Sequence, residues 1–438
     1  MIYFVVVILA FLACKPLSVF LGIYAIKALP YGFLALGIIQ YGLFNKGRLY
    51  IGRLANRTSL LVYGVFLLIL MLSFIRDSNT EISQLGTYTT SLQYLLFAFY
   101  VYLFIVYHRK KTDDLSIFNK QVIFLLIAAP ALFIFLDVIL YLVGIRTGEE
   151  NHVNPAGGSS VLGNALGLAV DRTSFVLGGH HNNFSLLIGS VTIFTVQALL
   201  LGVYSGRIKK ILYFIIIVAG YGLILADVRG VVISLIIALV SIFLFKRLNI
   251  LRLLPIVVIL PFFISVSFPA FQLLLYSNAD SLSAFARGGE EIYTLNGRTY
   301  IWEGCLMALS NFELSDIMGY GQVGHITSDA YLHWAWIFPK KVTHNIYFQY
   351  IFDAGYIGLL SLLAILLVAT KDALYLYRSG NKTSLMLLAY LIYFPFSGIF
   401  ESAIGVYNHP HTTYFLLVSA IVFLLKNEHM VHFGHHTT

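Results

Sequence analysis

Apolar runs long enough to cross a lipid bilayer recur along all 438 residues of the chain. A spanning α-helix needs roughly 20 mainly apolar residues. Hydrophobic residues make up 59% of the sequence and charged residues 11%, which is more apolar than a soluble protein of this size requires. The runs are continuous and lack the alternation of an outer-membrane barrel. The sequence therefore predicts an all-α integral membrane protein built as one polytopic domain over residues 1–438.

The apolar runs divide the chain into twelve predicted spans, with boundaries that are soft by several residues. The first run is short, which leaves eleven spans as the alternative. Two long polar loops separate the spans, at residues 145–182 and 277–344. The spans cover residues 2–14, 17–45 with a break near Pro30, 59–75, 90–107, 121–144, 183–204, 211–226, 231–245, 253–276, 345–370, 383–401 and 413–425.

Lysine and arginine residues are distributed unevenly between the two sets of loops. One set carries eighteen of them and the other set carries eight. Since cytoplasmic loops are enriched in Lys and Arg, the first set and both termini are expected inside, and the two long loops outside. The excess of Lys and Arg that gives the net charge of +8 then orients the protein in the membrane and contacts anionic lipid, so no nucleic-acid partner is expected. The eight outer residues are Arg76, Arg146, Arg172, Arg229, Arg287, Arg298, Lys340 and Lys341.

An acid and a base interrupt the apolar run LILADVRGVVISLII at residues 223–237. Only 16 residues separate the acid, Asp227, from Lys210, and only 15 separate the following glycine from Lys246. Helices of that length are about 24 Å long, which is less than a hydrocarbon core of about 30 Å. We therefore expect Arg229 to lie below the outer surface and to face the bundle interior, where a charge indicates function. The alternative is a tight hairpin in which Arg229 reaches outward and pairs with Asp227.

A second arginine, Arg298, follows a predicted Asn-Gly turn in NGRTYIWEG, residues 296–304. The residues after it place Ile301, Trp302 and Cys305 on one apolar helix face. Such a helix is expected to lie on the membrane surface. A purely anchoring role, with Arg298 reaching for water, is equally favoured when this motif is taken alone.

The sequence GYGQVGH, residues 319–325, has the GxGxxG spacing of dinucleotide-binding proteins. No strand precedes it, no βαβ unit surrounds it, and the loop is expected on the extracytoplasmic side. We therefore predict a flexible or closely packed loop and no nucleotide cofactor.

Two lysines, Lys340 and Lys341, lie on the predicted outer side against the positive-inside rule, which favours attraction to an anionic ligand. His344 follows them at the mouth of a span, where a neutral imidazole can accept a proton near neutral pH. The alternative is a histidine whose ring is satisfied by water or a backbone carbonyl. Arg172, in the other long loop, either contacts phosphate or is an ordinary loop cation.

Other polar side chains near the spans give weaker signals. His180 and His181 lack the spacing of good metal ligands, so no metal is expected. Asp137 and Asp353 lie inside predicted spans, and a transporter could use such acids for proton coupling. Asp353 is more than two turns deeper than His344 and is expected to pack inside the bundle.

Taken in order, these motifs resemble the bacterial superfamily of O-antigen polymerases and O-antigen ligases. The resemblance covers about residues 170–360 and the overall topology. Val228 departs from it, because the superfamily often has serine before Arg-Gly. The motifs are an Arg-Gly hairpin at Arg229 and Gly230, a Gly-Arg followed by tryptophan at Arg298 and Trp302, the Gly-rich loop, and His-Asn at His344 and Asn345 entering a helix with Gly355 and Gly358.

The resemblance implies a membrane glycosyltransferase of the GT-C type in the bacterial inner membrane, working on the extracytoplasmic side without a metal or other cofactor. Its donor would be an oligosaccharide on undecaprenyl pyrophosphate. Arg229 and Arg298 would hold the pyrophosphate, because guanidinium groups match phosphate oxygens and stay charged. His344 would be the general base. The expected substrate-binding residues are Arg172, Lys340, Lys341 and Asn345.

Three activities are compatible with these motifs. A polymerase would move the growing chain onto the next lipid-linked repeat unit, and we favour it because such enzymes vary with each glycan type. A ligase would move the finished chain onto lipid A–core. A transporter of polysaccharide or lipid-linked oligosaccharide suits twelve spans, but the sequence has no internal repeat and no matched pair of broken helices. The expected partners are the bilayer, undecaprenyl-pyrophosphate-linked oligosaccharides and, among proteins, a chain-length regulator and a flippase.

Overall fold

The computed structural model is built from helices, and the part of the chain that it describes forms no β-strand. The described residues are 2–21, 23–44, 46, 54–75, 84–112, 114–145, 160–168, 170, 172–173, 175–178, 181–277, 297–337, 342–404 and 409–434. The first ten helices are α1 Ile2–Leu21, α2 Ile23–Phe44, α3 Arg57–Ile75, α4 Gln84–Lys110, α5 Leu115–Leu142, α6 Val161–Ala165, α7 His181–Leu200, α8 Gly206–Ala226, α9 Arg229–Arg247 and α10 Leu254–Ser277. The others are α11 Arg298–Ser310, α12 Ser315–Met318, α13 Gly324–Thr327, α14 Leu332–Ala335, α15 Ile346–Arg378, α16 Ser384–Ser397 and α17 Pro410–Gly434.

The long helices follow the order of the twelve predicted spans. Among the described residues, nine helices contain a segment long and apolar enough to cross a membrane, and α1, α2 and α16 contain shorter apolar segments. The prediction of an all-α integral membrane protein is therefore confirmed. Several boundaries differ from the predicted ones, and those of α15 and α16 bear on the residues described below. α15 continues to Arg378, beyond its predicted end at residue 370. α16 ends at Ser397, so residues 398–401, which were predicted to be part of the span, lie outside the helix.

The short helix α16 lies at the centre of the bundle, and all 14 of its residues are buried. Its sequence, SLMLLAYLIYFPFS, is apolar on nearly every side, which is typical of a helix surrounded by other helices. It packs against α7, α9, α10 and α15. The segment that follows α16 therefore lies in the middle of one end of the bundle.

α15 is interrupted at Gly355, whose φ of 71° and ψ of −171° lie outside the helical region. Near this interruption, the backbone carbonyls of Phe352 and Asp353 accept the N–H groups of Tyr320 at 2.7 Å and Gly321 at 3.1 Å. Backbone polar groups inside a membrane protein need such partners. The loop GYGQVGH thus packs closely against the break in α15, which is one of its two predicted forms.

Glycine is required where this loop meets α15. Gly319 has a φ of +76°, and a Cβ there would lie 2.4 Å from the backbone nitrogen of Gly355, whereas Gly202 has a φ of +61° and open space around it. We expect Gly202→Ala to cost about 1 kcal/mol for its left-handed backbone alone. Gly319→Ala should cost at least about 2 kcal/mol more, because backbone atoms must move. Thermal melting of both purified variants in one detergent measures the difference, and equal melting temperatures would contradict the close packing.

Three buried carboxylates hold the two long loops onto the spans. Each accepts backbone N–H groups of a loop, at 2.6 to 3.1 Å. Such bonds satisfy a buried carboxylate and give it a structural role. The proton coupling considered for Asp137 and Asp353 gains no support from these surroundings, and Asp353 is fully buried, as predicted. The pairs are Asp137 with Leu177 and Gly178, Asp227 with Leu162, and Asp353 with Gly324.

Candidate active site

The side chain of Glu401 joins two of the predicted site residues. Glu401 lies in the non-helical segment after α16 and is 5% exposed. Its Oε1 accepts a hydrogen bond from Arg298 Nη2 at 2.7 Å, and its Oε2 lies 3.2 Å from His344 Nδ1. Asn182 Nδ2 donates a further hydrogen bond to Oε1 at 2.5 Å. Arg298 and His344, which are distant in the sequence, therefore meet at one buried carboxylate.

Arg298 is the first residue of α11, which is fixed in place by its tryptophan. Trp302, one turn later, is fully buried and donates its Nε1–H to the Thr343 carbonyl at 3.1 Å, directly before His344. Cys305 shares the buried face, and burial raises the pKa of its thiol well above the usual range. The predicted apolar face is therefore present, but it packs against protein. The expectation that it rests on the membrane surface is corrected, because its main members have no exposed area left for lipid.

The guanidinium of Arg298 keeps a donor that the described residues do not use. Nη2 is taken by Glu401, but Nε is buried and has no hydrogen-bond partner within the described part of the chain. A buried donor without a partner is costly, so this N–H keeps a hydrogen-bonding capacity for an acceptor that the described residues do not supply. Phosphate oxygens are such acceptors and suit the neighbouring donors of a guanidinium group.

His344 has an uncommon backbone conformation for a residue other than glycine. Its φ of +49° lies in the left-handed region, and such conformations are concentrated at functional sites. The imidazole is 15% exposed, which allows a substrate group to approach it. Because Nδ1 faces Glu401, the other ring nitrogen, Nε2, is turned away from the carboxylate. This is the arrangement in which a carboxylate orients a histidine that accepts protons.

Asn345 is fully buried, and both ends of its amide are used inside the protein. The residue caps α15 and ties its first turn to α10 and to the segment after α16. This geometry favours a positioning role, in which Asn345 holds its neighbour His344, over the predicted contact with substrate. Its Oδ1 accepts the N–H groups of Tyr347 and Phe348, and its Nδ2 donates to the Ser265 hydroxyl and the Ile399 carbonyl.

Gln349, in the first turn of α15, links Thr343, the residue before His344, to the Gly-rich loop. Its Oε1 accepts a hydrogen bond from Thr343 Oγ1 at 3.0 Å. Its Nε2 donates to Asp353 Oδ1 at 2.9 Å and lies 3.2 Å from His325 Nδ1. All of these side chains are buried, so the network is shielded from water and holds its members in one arrangement. The sequence analysis did not single out Gln349.

The turn that carries Arg229 lies beside the Glu401 segment. α8 ends at Ala226, its C-cap Asp227 adopts a left-handed conformation with a φ of 49°, and α9 begins at Arg229. A Cβ on Gly230 would lie 2.6 Å from the ring of Phe400, so the turn touches the residue before Glu401. Arg229 is partly buried. The structure therefore brings the Arg229 turn to the same end of the bundle as Arg298 and His344.

Arg172 connects the Arg229 turn with Glu401. Its Nε donates to the Ala226 carbonyl at 3.2 Å, and its Nη2 donates to Asn182 Oδ1 at 3.2 Å. Asn182 in turn donates to Glu401. These contacts favour a role for Arg172 in positioning the turn, while a direct contact with substrate stays a prediction.

Residues 214–363 of the chain match a family model described as O-Antigen ligase. The match covers about a third of the chain, and this part is similar to the O-antigen ligase superfamily. The predicted resemblance is thereby confirmed, although the match does not separate a polymerase from a ligase. The matched segment contains Arg229, Arg298, the Gly-rich loop and His344. A comparison with curated proteins found no match.

Three members of the site lie outside the segment that matches the O-antigen ligase model, namely Arg172, Asn182 and Glu401. Glu401 was not among the residues predicted from the sequence. A signal for it exists, because no other acid occurs between Asp372 and Glu428 and Glu401 ends a long apolar run. An isolated charge in such a run indicates function.

The apolar helices and the match to the O-antigen ligase model together indicate a multi-pass bacterial membrane protein. Among the described residues, Arg298 contacts Glu401 directly, Arg172 reaches it through Asn182, and the turn that carries Asp227 and Arg229 lies beside it. Arginine stays charged at any working pH, so the site suits an anionic group. Lys340 and Lys341 lie outside the described residues, and their role in gathering anionic substrate stays a prediction.

Proposed function

We propose that the protein is a glycosyltransferase that polymerises repeat units of an O-antigen or capsular polysaccharide at the extracytoplasmic face of the inner membrane. It would transfer a glycan from undecaprenyl pyrophosphate onto another lipid-linked repeat. The observation that carries this proposal is the Glu401 carboxylate, which binds Arg298 through one oxygen and His344 through the other. A proton acceptor and a positive charge for a leaving phosphate are thereby held in one site.

His344 is the proposed general base. Glu401 accepts the Nδ1–H, which leaves the unprotonated Nε2 to take the proton of the acceptor hydroxyl. The acceptor oxygen then bonds to the anomeric carbon of the donor sugar while the bond from that carbon to the pyrophosphate oxygen breaks. The proton stays on the imidazole, whose new charge Glu401 stabilises, and the pyrophosphate leaves with the bonding electron pair.

Arg298 and Arg229 are the proposed binding groups for the leaving pyrophosphate. Each is the first residue of a helix whose N-cap, Gly297 or Val228, offers no side-chain acceptor to the first N–H groups. Helix starts of this kind attract anions through those N–H groups and through the helix dipole. Two guanidinium groups at two helix starts supply charge for both phosphates, so the proposed reaction requires no metal ion or other cofactor.

A ligase that transfers glycan to lipid A–core is the second candidate, and the description of the matched family favours it. The same base and arginines would serve, since only the acceptor differs. We place the polymerase first because the enzymes that build repeats vary with each glycan type. A transporter is less favoured, because a carboxylate-oriented base serves bond formation, and the described spans show no matched partner for the break at Gly355.

The proposed location puts the Glu401 site on the extracytoplasmic side and both termini in the cytoplasm. This orientation follows from the uneven distribution of Lys and Arg between the loops. A chain-length regulator and a flippase stay predicted partners, because the donor must reach the outer face before it can react there.

Mass analysis of products tests the proposed function. Purified protein is supplied with one lipid-linked repeat as both donor and acceptor, and we expect a ladder of repeats on the lipid carrier. In a parallel reaction with added lipid A–core, transfer that occurs only onto lipid A–core would identify a ligase and contradict the polymerase. Movement of the glycolipid across liposomes without a new glycosidic bond would identify a transporter. A preparation with His344→Gly serves as the blank, because it should form no ladder under the same conditions.

A further inference from the structure

A cavity of about 200 Å³ lies between α1, α2 and the end of α4, away from the Glu401 site. Its walls are mainly aromatic, and the rings of Tyr41 and Tyr107 lie 5.2 Å apart between centroids. The space has room for several waters and is open on one side, so a ligand of suitable shape can enter it. The lining also includes Tyr3, Phe4, Gln40 and His108.

Lys111 lies at the rim of this cavity. Lys111 directly follows α4 and is exposed, and its ammonium lies 4.4 Å from the centroid of the Tyr107 ring. Among the residues that the structure describes, Lys111 forms no ion pair and no Asp or Glu lines the cavity. The charge of Lys111 is therefore available to an anion that enters the space.

The cavity lies at the end of the bundle where basic residues are concentrated. α4 ends with His108, Arg109 and Lys110, directly before Lys111. Tyrosine is enriched where lipid headgroups meet the hydrocarbon core, and Tyr3 begins α1 at this level. Basic pockets between spans on the cytoplasmic side bind anionic lipid headgroups.

We propose that this cavity binds an anionic membrane phospholipid, with Lys111 and His108 at its phosphate and Phe4 and Tyr41 against its glycerol and first acyl carbons. Free phosphate carries the same charge but has no apolar part, so it would leave the aromatic walls uncovered. The proposal does not depend on the Glu401 site or on the reaction that occurs there.

Lipid titration of the full chain in detergent, followed by native mass spectrometry, tests this site. Phosphatidylglycerol should bind at least about tenfold more tightly than phosphatidylcholine with the same acyl chains, because its headgroup has a net negative charge, whereas the choline cation of phosphatidylcholine offsets its phosphate and is repelled by Lys111. Lys111→Ala should remove about that factor, and Gln40→Trp should weaken binding by filling the cavity. Lys120→Ala is the matched control, because Lys120 is exposed in the next basic segment and does not line the cavity.

Several outcomes would overturn the proposal. Equal binding of phosphatidylglycerol by the Lys111→Ala and Lys120→Ala variants would show that the charge at the rim has no role. Unchanged binding by Gln40→Trp would place the lipid elsewhere. Competition by inorganic phosphate at the same concentration would show that the cavity takes free phosphate. Melting temperatures without added lipid establish that the variants are folded.

Discussion

Substitution of His344 by glycine should lower the turnover number for glycan transfer by about 100- to 10,000-fold, which is the usual contribution of a general base. Glycine suits the φ of +49° at this position, so the fold should persist. The space left by the ring can admit free imidazole, and added imidazole should restore part of the turnover. Initial rates at saturating lipid-linked substrate, with and without imidazole, measure both effects.

His344→Asn is the matched control for this experiment. Asparagine also tolerates the left-handed backbone and can hydrogen-bond to Glu401, but it cannot accept the proton of a hydroxyl group. We expect the asparagine variant to be slow and to gain nothing from imidazole, because its side chain fills part of the space. Near-normal turnover of the folded His344→Gly variant would exclude His344 as the base.

Substitution of Arg298 by alanine should lower turnover by about 100-fold or more, as the loss of a preorganised group at a developing charge does. Its buried Nε–H and its Nη groups offer adjacent donors to phosphate oxygens, and a lysine ammonium cannot reproduce that fork. Arg298→Lys should therefore recover little of the lost rate. Single-turnover transfer from a lipid-linked donor measures the chemical step separately from product release.

The ion pair between Arg298 and Glu401 requires a second variant. Alanine at position 298 leaves the Glu401 carboxylate without the guanidinium that lies 2.7 Å from it, and an unpaired buried charge disturbs its surroundings. The double variant Arg298→Ala/Glu401→Gln removes both charges. If Arg298 acts on the pyrophosphate, the double variant stays at least as slow as the single one. Restored turnover would mean that Arg298 only neutralises Glu401, which would contradict its proposed role.

The sequence predicted the spans from their apolar runs, and it predicted candidate site residues where a charged or polar side chain interrupts or borders such a run. The twelve spans follow from long apolar runs, and their order is that of the long helices. Arg229 and Arg298 were conspicuous as charges in apolar or membrane-proximal segments, and His344 was conspicuous at the mouth of a span. Each of these signals is local, because the hydrophobicity of a short window determines whether a charge is expected there.

The residues and roles that sequence reasoning did not predict depend on contacts between distant parts of the chain. The position of Glu401 between Arg298 and His344 results from the packing of α16, which the sequence does not show. Asn345 was expected to contact substrate, but its amide is used by protein groups from three segments. The face of α11 that carries Trp302 was predicted to lie on the membrane surface, but in the structure it is buried against protein. An apolar face has no preference for lipid over protein that the sequence alone could reveal.

The sequence by itself determined that this chain crosses a membrane many times, because removing so many apolar side chains from water allows no other solution. It also singled out the arginines and the histidine as candidate functional residues, because placing charged or polar groups in or beside an apolar span costs free energy. Only the tertiary structure decided which of them meet. Hydrogen bonds and ion pairs act over about 3 Å, and α7, α11, α15 and the segment after α16 reach that distance from one another only when the helices are packed.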